Sequence, residues 1–264
     1  MLRLLATGLL MTLALPAVMA QERGPWVCAG GERVDDMFQG LSPQGDIILL
    51  SGRAVSLSGI RLPEESPTRD QALARLTRYA GRPVLIRVVA ERDRWDRVTA
   101  ELVVSDEAPP LDLARDLVVA GLAVVDAGTA ETLCQPELLR LEEQARTRSL
   151  GVWAQERYKP IDVLSVDRLR ERIGTFALVE GHVRSIGERQ QRAYLNFGAN
   201  WAEDFTITIS KRTWTRMAER GLAAASLKGS RIRARGILEE WQGVALAIKA
   251  PEMIEWIEDP PRRR

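Results

Sequence analysis

The sequence predicts an α+β fold, mainly β with helices, in which two small β-barrels follow one another along the chain. The first half contains short alternating or β-branched runs joined in pairs by turns, which is typical of hairpins. Helical patterns accompany these pairs. The second half has the order three strands, helix, two strands. This is the order of a five-stranded OB barrel, a fold with a face for oligonucleotides or oligosaccharides.

Two hairpins and three helices are predicted in the first half. Residues 46–50 are apolar, residues 54–60 alternate, and the Ser51-Gly52 pair supplies the turn between them. A second hairpin is predicted around the charged turn at 91–97. Apolar residues at helical spacing, followed by glycine stops, predict the helices. The predicted strands are 46–50, 54–60, 84–90 and 98–104, and the predicted helices are 71–79, 112–121 and 136–149.

The second half begins after a charged segment at 157–174, which we interpret as a linker with a helical turn. Five β-like runs follow, and one helical pattern separates the third run from the fourth. This arrangement predicts an OB-like barrel of five strands. The predicted strands are 176–185, 192–197, 204–209, 231–238 and 244–249, and the predicted helix is 211–220.

The first twenty residues have the pattern of a cleavable export signal. Arg3 supplies a positive charge, Leu4 to Leu15 are mostly apolar, and small residues end at Ala20. No later segment reaches the roughly 20 apolar residues that a membrane-spanning helix needs. We therefore expect a periplasmic or secreted protein. The predicted plan is a signal peptide at 1–20, a Gly-rich, irregular N-terminal extension at 21–44, a first barrel domain at 45–155, a linker at 156–175, an OB-like domain at 176–258 and a basic tail at 259–264.

Charge is divided unequally between the two halves. Without the signal segment the chain has 36 basic and 36 acidic residues, so a general polyanion-binding charge is absent. Residues 21–155 hold 16 basic and 21 acidic residues, a net charge of −5, and the remainder holds 20 and 15, a net charge of +5. The second half is therefore the better candidate for binding an anion.

Cysteine and histidine limit the chemistry that is available. Cys28 and Cys134 both lie after the signal segment, and an oxidising compartment favours their pairing in a disulfide. The alternative is two free thiols. The single histidine, His182, lies in an apolar alternating run and reads as a strand residue rather than a ligand. Cys–His nucleophilic catalysis and histidine-based metal chemistry are therefore not expected.

Five stretches of the first half carry a resemblance to a known family. In order along the chain, they are a strand entry, a strand end, a hairpin turn, a helix end and a long helical segment. Together they resemble the staphylococcal-nuclease-like, or thermonuclease, family over about residues 45–154. The stretches are Gly45-Asp46, G-I-R-L-P-E at 59–64, D-R-W-D-R at 93–97, A-G-L-A-V-V at 120–125 and L-E-E-Q-A-R-T-R-S-L-G-V-W at 141–153.

The resemblance implies a set of catalytic residues. Active members of the family hydrolyse phosphodiester bonds of DNA and RNA with a calcium ion, a glutamate and two arginines. The metal and guanidinium groups stabilise charge on the phosphoryl group, and a carboxylate takes the proton of the attacking water. By this resemblance Asp46 matches the first metal carboxylate, Glu64 matches the water-activating glutamate, and Arg97 matches the arginine of the second hairpin.

Two family positions are changed in this chain. Ser56 stands where the family has its strand arginine, and Arg61 stands where it has its second metal aspartate. Serine carries no charge for a phosphate, and an arginine removes a calcium ligand. One hypothesis places the Arg61 guanidinium in the old cation position, paired with Asp46 or Glu64. The alternative is that Arg61 points into solvent.

The second half offers candidates for nucleic-acid binding. Arg231, Arg233 and Arg235 alternate, so their side chains emerge on one face of one strand. Tyr194, Trp201 and Trp241 could stack on the bases of single-stranded nucleic acid. The alternative is that the arginines form a solvated face and the aromatic residues serve packing.

Three functions remain open at this point. The first is a degenerate nuclease that acts as a binding or structural module and needs no cofactor. The second is an active calcium-dependent nuclease in which another residue replaces the missing arginine. The third is an envelope protein whose barrels bind a protein or glycan partner. Whether the protein is an enzyme stays open at this point, and Ser56 and Arg61 favour an inactive nuclease domain.

Overall fold

The structure is a computed structural model that describes residues 28, 31, 33–90, 92–200 and 203–257. The predicted signal peptide, Trp201 and the basic tail at 259–264 lie outside the described residues. Within the described ranges, no helix is both long enough and apolar enough to cross a membrane.

The first barrel begins earlier than the sequence predicts. Its strands are β1 (Arg33–Leu41), β2 (Ile47–Leu49), β3 (Ala54–Leu57), β4 (Ile60–Arg61), β5 (Pro83–Ala90), β6 (Arg97–Val104), β7 (Leu111–Asp112) and β8 (Val124–Val125). The main sheet has the order β3-β2-β1-β5-β6-β7, and a parallel pairing of β3 with β6 closes five strands into a barrel. Both predicted hairpins are confirmed, as β2–β3 and β5–β6.

Strand β1 lies in the segment that we predicted to be an irregular extension. It pairs with β2 on one side and with β5 on the other. Among its nine residues only Phe38 is fully buried, so no apolar alternation marks it in the sequence. Its conformation depends on the two neighbouring strands, and neither neighbour can be recognised from the segment itself.

Three helices cover the first barrel, as predicted. Asp112 caps the second one, because its carboxylate accepts a hydrogen bond of 2.8 Å from the Arg115 backbone N–H. Leu113, Leu117 and Val118 are buried, as their spacing indicates. The helices are α1 (Thr68–Thr77), α2 (Leu113–Val119) and α3 (Glu137–Thr147), and short 3₁₀ helices follow at Gly151–Ala154 and Glu156–Tyr158.

The second barrel follows the OB strand order. Its elements are β9 (Ile161–Asp162), α4 (Val166–Arg170), β10 (Phe176–His182), β11 (Ser185–Glu188), β12 (Arg192–Asn196), β13 (Thr206–Ser210), α5 (Lys211–Glu219), α6 (Ala224–Leu227), β14 (Arg231–Glu240), β15 (Val244–Ile248) and β16 (Ile254–Trp256). The sheet order is β11-β12-β13-β15-β14-β10-β9, with β16 beside β14. β10 and β11 lie far apart in the sheet order, but only two residues separate them in the chain. The sheet must therefore curl to bring these two strands together. The predicted strand at 176–185 is therefore two strands, interrupted at residues 183 and 184.

Both barrels share one plan. In each, a helix follows the third barrel strand, α1 after β3 and α5 after β13. In each, the third and fifth strands pair in parallel, β3 with β6 and β13 with β15. The segment between the barrels is more than a linker, because β9 within it pairs in parallel with β10 and α4 supplies the predicted helical turn.

A long loop of the first barrel, residues 126–136 between β8 and α3, contacts the second barrel. The Leu133 N–H donates to Glu252 at 3.3 Å, and Arg212 on α5 pairs with Glu131 at 2.9 Å. The predicted disulfide is confirmed, because Cys28 and Cys134 are bonded. It joins this loop to the start of the described chain.

Replacing Cys28 and Cys134 by serine should lower the free energy of unfolding by about 4 kcal/mol, because the disulfide closes a loop of about 100 residues. The sequence separation of the two cysteines is 106. Urea denaturation followed by circular dichroism would measure the change. Wild-type protein in reductant should match the double variant, and equal stability of oxidised and cysteine-free protein would contradict the expectation.

Candidate functional site

A cleft of about 1220 Å³ brings the sequence-predicted positions of the first barrel together. Its lining includes residues from the entry to β2, from β3 and β4, and from the β5–β6 hairpin. Two arginines of α5 in the second barrel also line it, so both barrels contribute walls. The residues that matter for the chemistry are Asp46, Ser56, Arg61, Glu64, Arg97, Arg212 and Arg216.

Arg97 and Asp46 form one centre of the cleft. Arg97 Nη1 donates to Asp46 Oδ1 at 2.9 Å, and Arg97 Nε and Nη2 donate to Asp93 Oδ2 at 2.9 and 2.8 Å. The hydrogen bonds with Arg97 lower the pKa of Asp93, and those with Asp93 and then Asp46 raise the pKa of Arg97. Asp46 and Arg97, which the resemblance matches to a metal carboxylate and the hairpin arginine, therefore bind each other here.

Arg61 follows neither of the two predicted alternatives. Its Nε donates to Asp126 Oδ2 at 2.9 Å, and Asp126 is a buried residue that directly follows β8. The Arg61 guanidinium also lies 6.0 Å from the centre of the Phe176 ring, at the start of β10. Among the described residues its ion pair is thus with Asp126, rather than with Asp46 or Glu64. Sequence reasoning missed Asp126, because 65 residues separate the partners.

Glu64 has an arginine partner from outside the family stretch. Arg157 Nη2 donates to Glu64 Oε2 at 2.7 Å, and the same guanidinium pairs with Glu65. Arg172 contacts the backbone of this arginine, because its Nη1 donates to the Arg157 carbonyl at 2.8 Å. Burial and then the charge of Arg157 lower the pKa of Arg172. The water-activating position of the family is thus occupied by an internal ion pair, although the Glu64 side chain remains 44% exposed.

Ser56 lines the cleft on β3, where the family has its strand arginine. Its register partner on the neighbouring strand β6 is Thr99, so both residues of this pair carry a hydroxyl group. No group of three or more histidine, cysteine, aspartate or glutamate side chains is arranged to hold a metal ion within the described ranges.

Two of the three arginines of the row in the second barrel, Arg233 and Arg235, contact the first barrel. Arg235 on β14 is 2% exposed and pairs with Glu142 of α3 and with Glu255. Burial lowers the pKa of Arg235, but the two carboxylates outweigh burial and raise it. Arg233, 8% exposed, donates to Glu180 at 2.7 Å and to Glu143 at 3.2 Å. These two arginines therefore serve the contact between barrels and are not accessible to nucleic acid.

Arg231, Tyr194 and Trp241 are the candidates of the second barrel that stay at the surface. Arg231 pairs with Glu180 at 3.0 Å and is 29% exposed. The rings of Tyr194 and Trp241 stack on each other, with centroids 5.7 Å apart and planes 13° apart. The structure therefore brings together the two aromatic residues that the sequence singled out, away from the arginine row.

The first barrel and its cleft define a class of protein. A closed five-stranded barrel with a helix after the third strand, and a cleft that gathers Asp46, Glu64 and Arg97, is nuclease-like and of OB type. Residues 54–155 match the family model of the staphylococcal nuclease homologues, so this part of the chain is a staphylococcal nuclease homologue domain, as predicted. The match covers less than half of the 264 residues. No curated protein matches the chain.

Replacing Arg235 by methionine should lower the free energy of unfolding by about 3–5 kcal/mol, because the Glu142 carboxylate would remain buried without its positively charged partner. The matched control is Arg231→Met on the same face of β14, which should cost about 1 kcal/mol or less because Arg231 is partly solvated. The double variant Arg235→Met/Glu142→Met should recover much of the loss. Equal losses for Arg235→Met and Arg231→Met would contradict the structural role of the buried pair.

Proposed function

We propose that the protein is exported and that its nuclease homologue domain is a degenerate nuclease, directed at nucleic acid by descent and acting as a binding or structural module. One observation carries this proposal. At the family's second metal carboxylate stands Arg61, and its guanidinium is fixed on Asp126 at 2.9 Å. A permanent positive charge therefore lies where the reaction would need a negative one.

The residues of the cleft do not fit calcium. Calcium takes six to eight oxygen ligands, and its affinity rises with the number of carboxylates. Of the two metal carboxylates of the family only Asp46 remains, and its Oδ1 accepts a hydrogen bond from Arg97. Arg61 would add repulsion rather than a ligand. We therefore assign no metal-dependent step to this cleft.

The ion pairs of the cleft also bear on nucleic-acid binding. Arg97 must exchange two aspartates for a phosphate, and Arg157 must leave Glu64 and Glu65. Each exchange leaves a carboxylate close to the incoming phosphate, which costs free energy. The cleft should therefore bind single-stranded nucleic acid weakly and lose that binding at moderate salt.

Two features support export. The first twenty residues have the sequence of a cleavable signal, and the Cys28–Cys134 disulfide is the bond expected in an oxidising compartment. We propose the periplasm or the extracellular medium as the destination of the mature chain.

One observation favours a second candidate, an active nuclease. Arg157 contacts Glu64 at 2.7 Å, so a guanidinium is present near the water-activating position although Ser56 has replaced the strand arginine. In this alternative Arg157 leaves Glu64 when substrate enters and binds the phosphate in its place.

Digestion of single-stranded DNA and RNA by the mature protein distinguishes the two candidates. We expect no cleavage with calcium beyond that with chelator. Calcium bound to the folded state would raise the melting temperature, so we also expect calcium to leave the melting temperature unchanged. Fluorescence anisotropy at low and moderate salt would measure the expected weak binding.

Three variants interpret the outcome. Calcium-dependent cleavage that is abolished in Glu64→Gln but kept in the exposed control Glu171→Gln would contradict the proposal and establish an enzyme. Loss of the same cleavage in Arg157→Met would assign the missing arginine to Arg157. Cleavage that persists in Glu64→Gln would identify a contaminating nuclease instead.

A further inference from the structure

The outer face of the second sheet carries small side chains around one aromatic pair. The strand registers place two rows on this face, across β11, β12, β13 and β15, and the first row continues onto β14. Most members are glycine, alanine, serine or threonine, which leaves room for a ring to lie on the sheet. The first row is Ser185, Asn196, Thr206, Ala245 and Glu239, and the second is Gly187, Tyr194, Thr208 and Ala247.

Trp241 reaches across this face to Tyr194. It lies in the turn between β14 and β15, whereas Tyr194 lies on β12, two strands beyond β15 in the sheet. Because the two rings stack at 5.7 Å, the Trp241 and Tyr194 side chains together span the distance across β15 and β13. Thr208 and Ala245 are accordingly buried although they belong to the outer face. Trp241 itself stays 38% exposed, so part of the indole is open to a ligand.

We call the stacked rings of Tyr194 and Trp241 the platform. Acidic side chains border its Trp241 end. Glu239 and Glu240 directly precede Trp241, and both are exposed. The loop with Glu203 and Asp204 comes close to the same turn, because a Cβ on Gly243 would lie 3.0 Å from the carbonyl oxygens of both residues. Glu203 is exposed, and the Asp204 carboxylate accepts a hydrogen bond of 2.7 Å from the Asn200 backbone.

The cations of this face lie at its other end. Arg192 is two residues before Tyr194 on β12, and Lys249 follows the last residue of β15. Two residues along a strand correspond to about 7 Å. The glutamates thus adjoin Trp241 in the sequence, whereas Arg192 is on the strand of Tyr194 and Lys249 is at the end of β15.

We propose that the Tyr194–Trp241 platform binds a cationic side chain, arginine or lysine, of a basic peptide. A guanidinium or ammonium over an indole face is attracted by the ring quadrupole, and neighbouring carboxylates add to that attraction. Single-stranded nucleic acid instead requires a positively charged groove beside its stacking residues, and the two residues that directly precede Trp241 are exposed glutamates. The site is independent of the cleft in the first barrel, so the proposal does not rest on the function proposed for that cleft.

Fluorescence anisotropy with the full mature chain and a fluorescein-labelled octa-arginine peptide tests the proposal. We expect saturable binding at low salt that Trp241→Ala weakens about tenfold, because the ring contact is lost. Trp256→Ala, at a half-exposed tryptophan on β16, is the matched control and should leave the affinity unchanged. Melting temperatures of both variants would show whether they are folded.

A double variant of the two glutamates tests the charges without a change to packing. Glu239→Gln/Glu240→Gln should weaken peptide binding about fivefold at low salt, whereas the exposed pair Glu171→Gln/Glu219→Gln should not. Equal affinity of wild type, Trp241→Ala and Glu239→Gln/Glu240→Gln would overturn the proposal, as would no peptide binding at all. Trp241-dependent binding of labelled oligodeoxythymidine or of a neutral oligosaccharide in preference to the peptide would overturn it in favour of that ligand.

Discussion

The arrangement of the two barrels depends on one buried charge, the guanidinium of Arg235. It lies on β14 in the second barrel, and its partner Glu142 lies on α3 of the first. Both side chains are buried, so removing either one would leave the charge of the other in the protein interior, where it is poorly solvated. Such a pair favours one orientation of the barrels over others, because partners and hydrogen-bond geometry must match together. The shape of the shared cleft follows from that orientation.

The same interface explains the opposite net charges of the two halves. Glutamates of the front half, Glu131, Glu142 and Glu143, pair with arginines of the back half. The net charges of −5 and +5 therefore reflect complementarity within one chain rather than attraction for an external polyanion. A charge count by halves identifies an excess, but it does not show where the opposite charge is. In this protein much of it lies on the neighbouring barrel.

Local signals predicted most of the elements, and long-range partners account for what was missed. Hairpins, helices and the OB strand order depend on alternation, turns and caps within short windows, and these were recognisable. Strand β1 was not, since only Phe38 of its residues is fully buried. The common face of the three β14 arginines was predicted correctly, because alternation determines it. The residues that this face contacts lie far away in the sequence, and so does Asp126, the partner of Arg61. Neither contact could therefore be predicted from a short window.

The cleft shows how charged side chains find partners that lie far away in the sequence. An arginine at position 61 needs a carboxylate when it is half-buried, and Asp126 supplies one from the loop that also contacts the second barrel. Asp46 in turn accepts a hydrogen bond from Arg97. Half-buried charged side chains of the cleft are thus held as structural ion pairs, because burial without a partner would cost more.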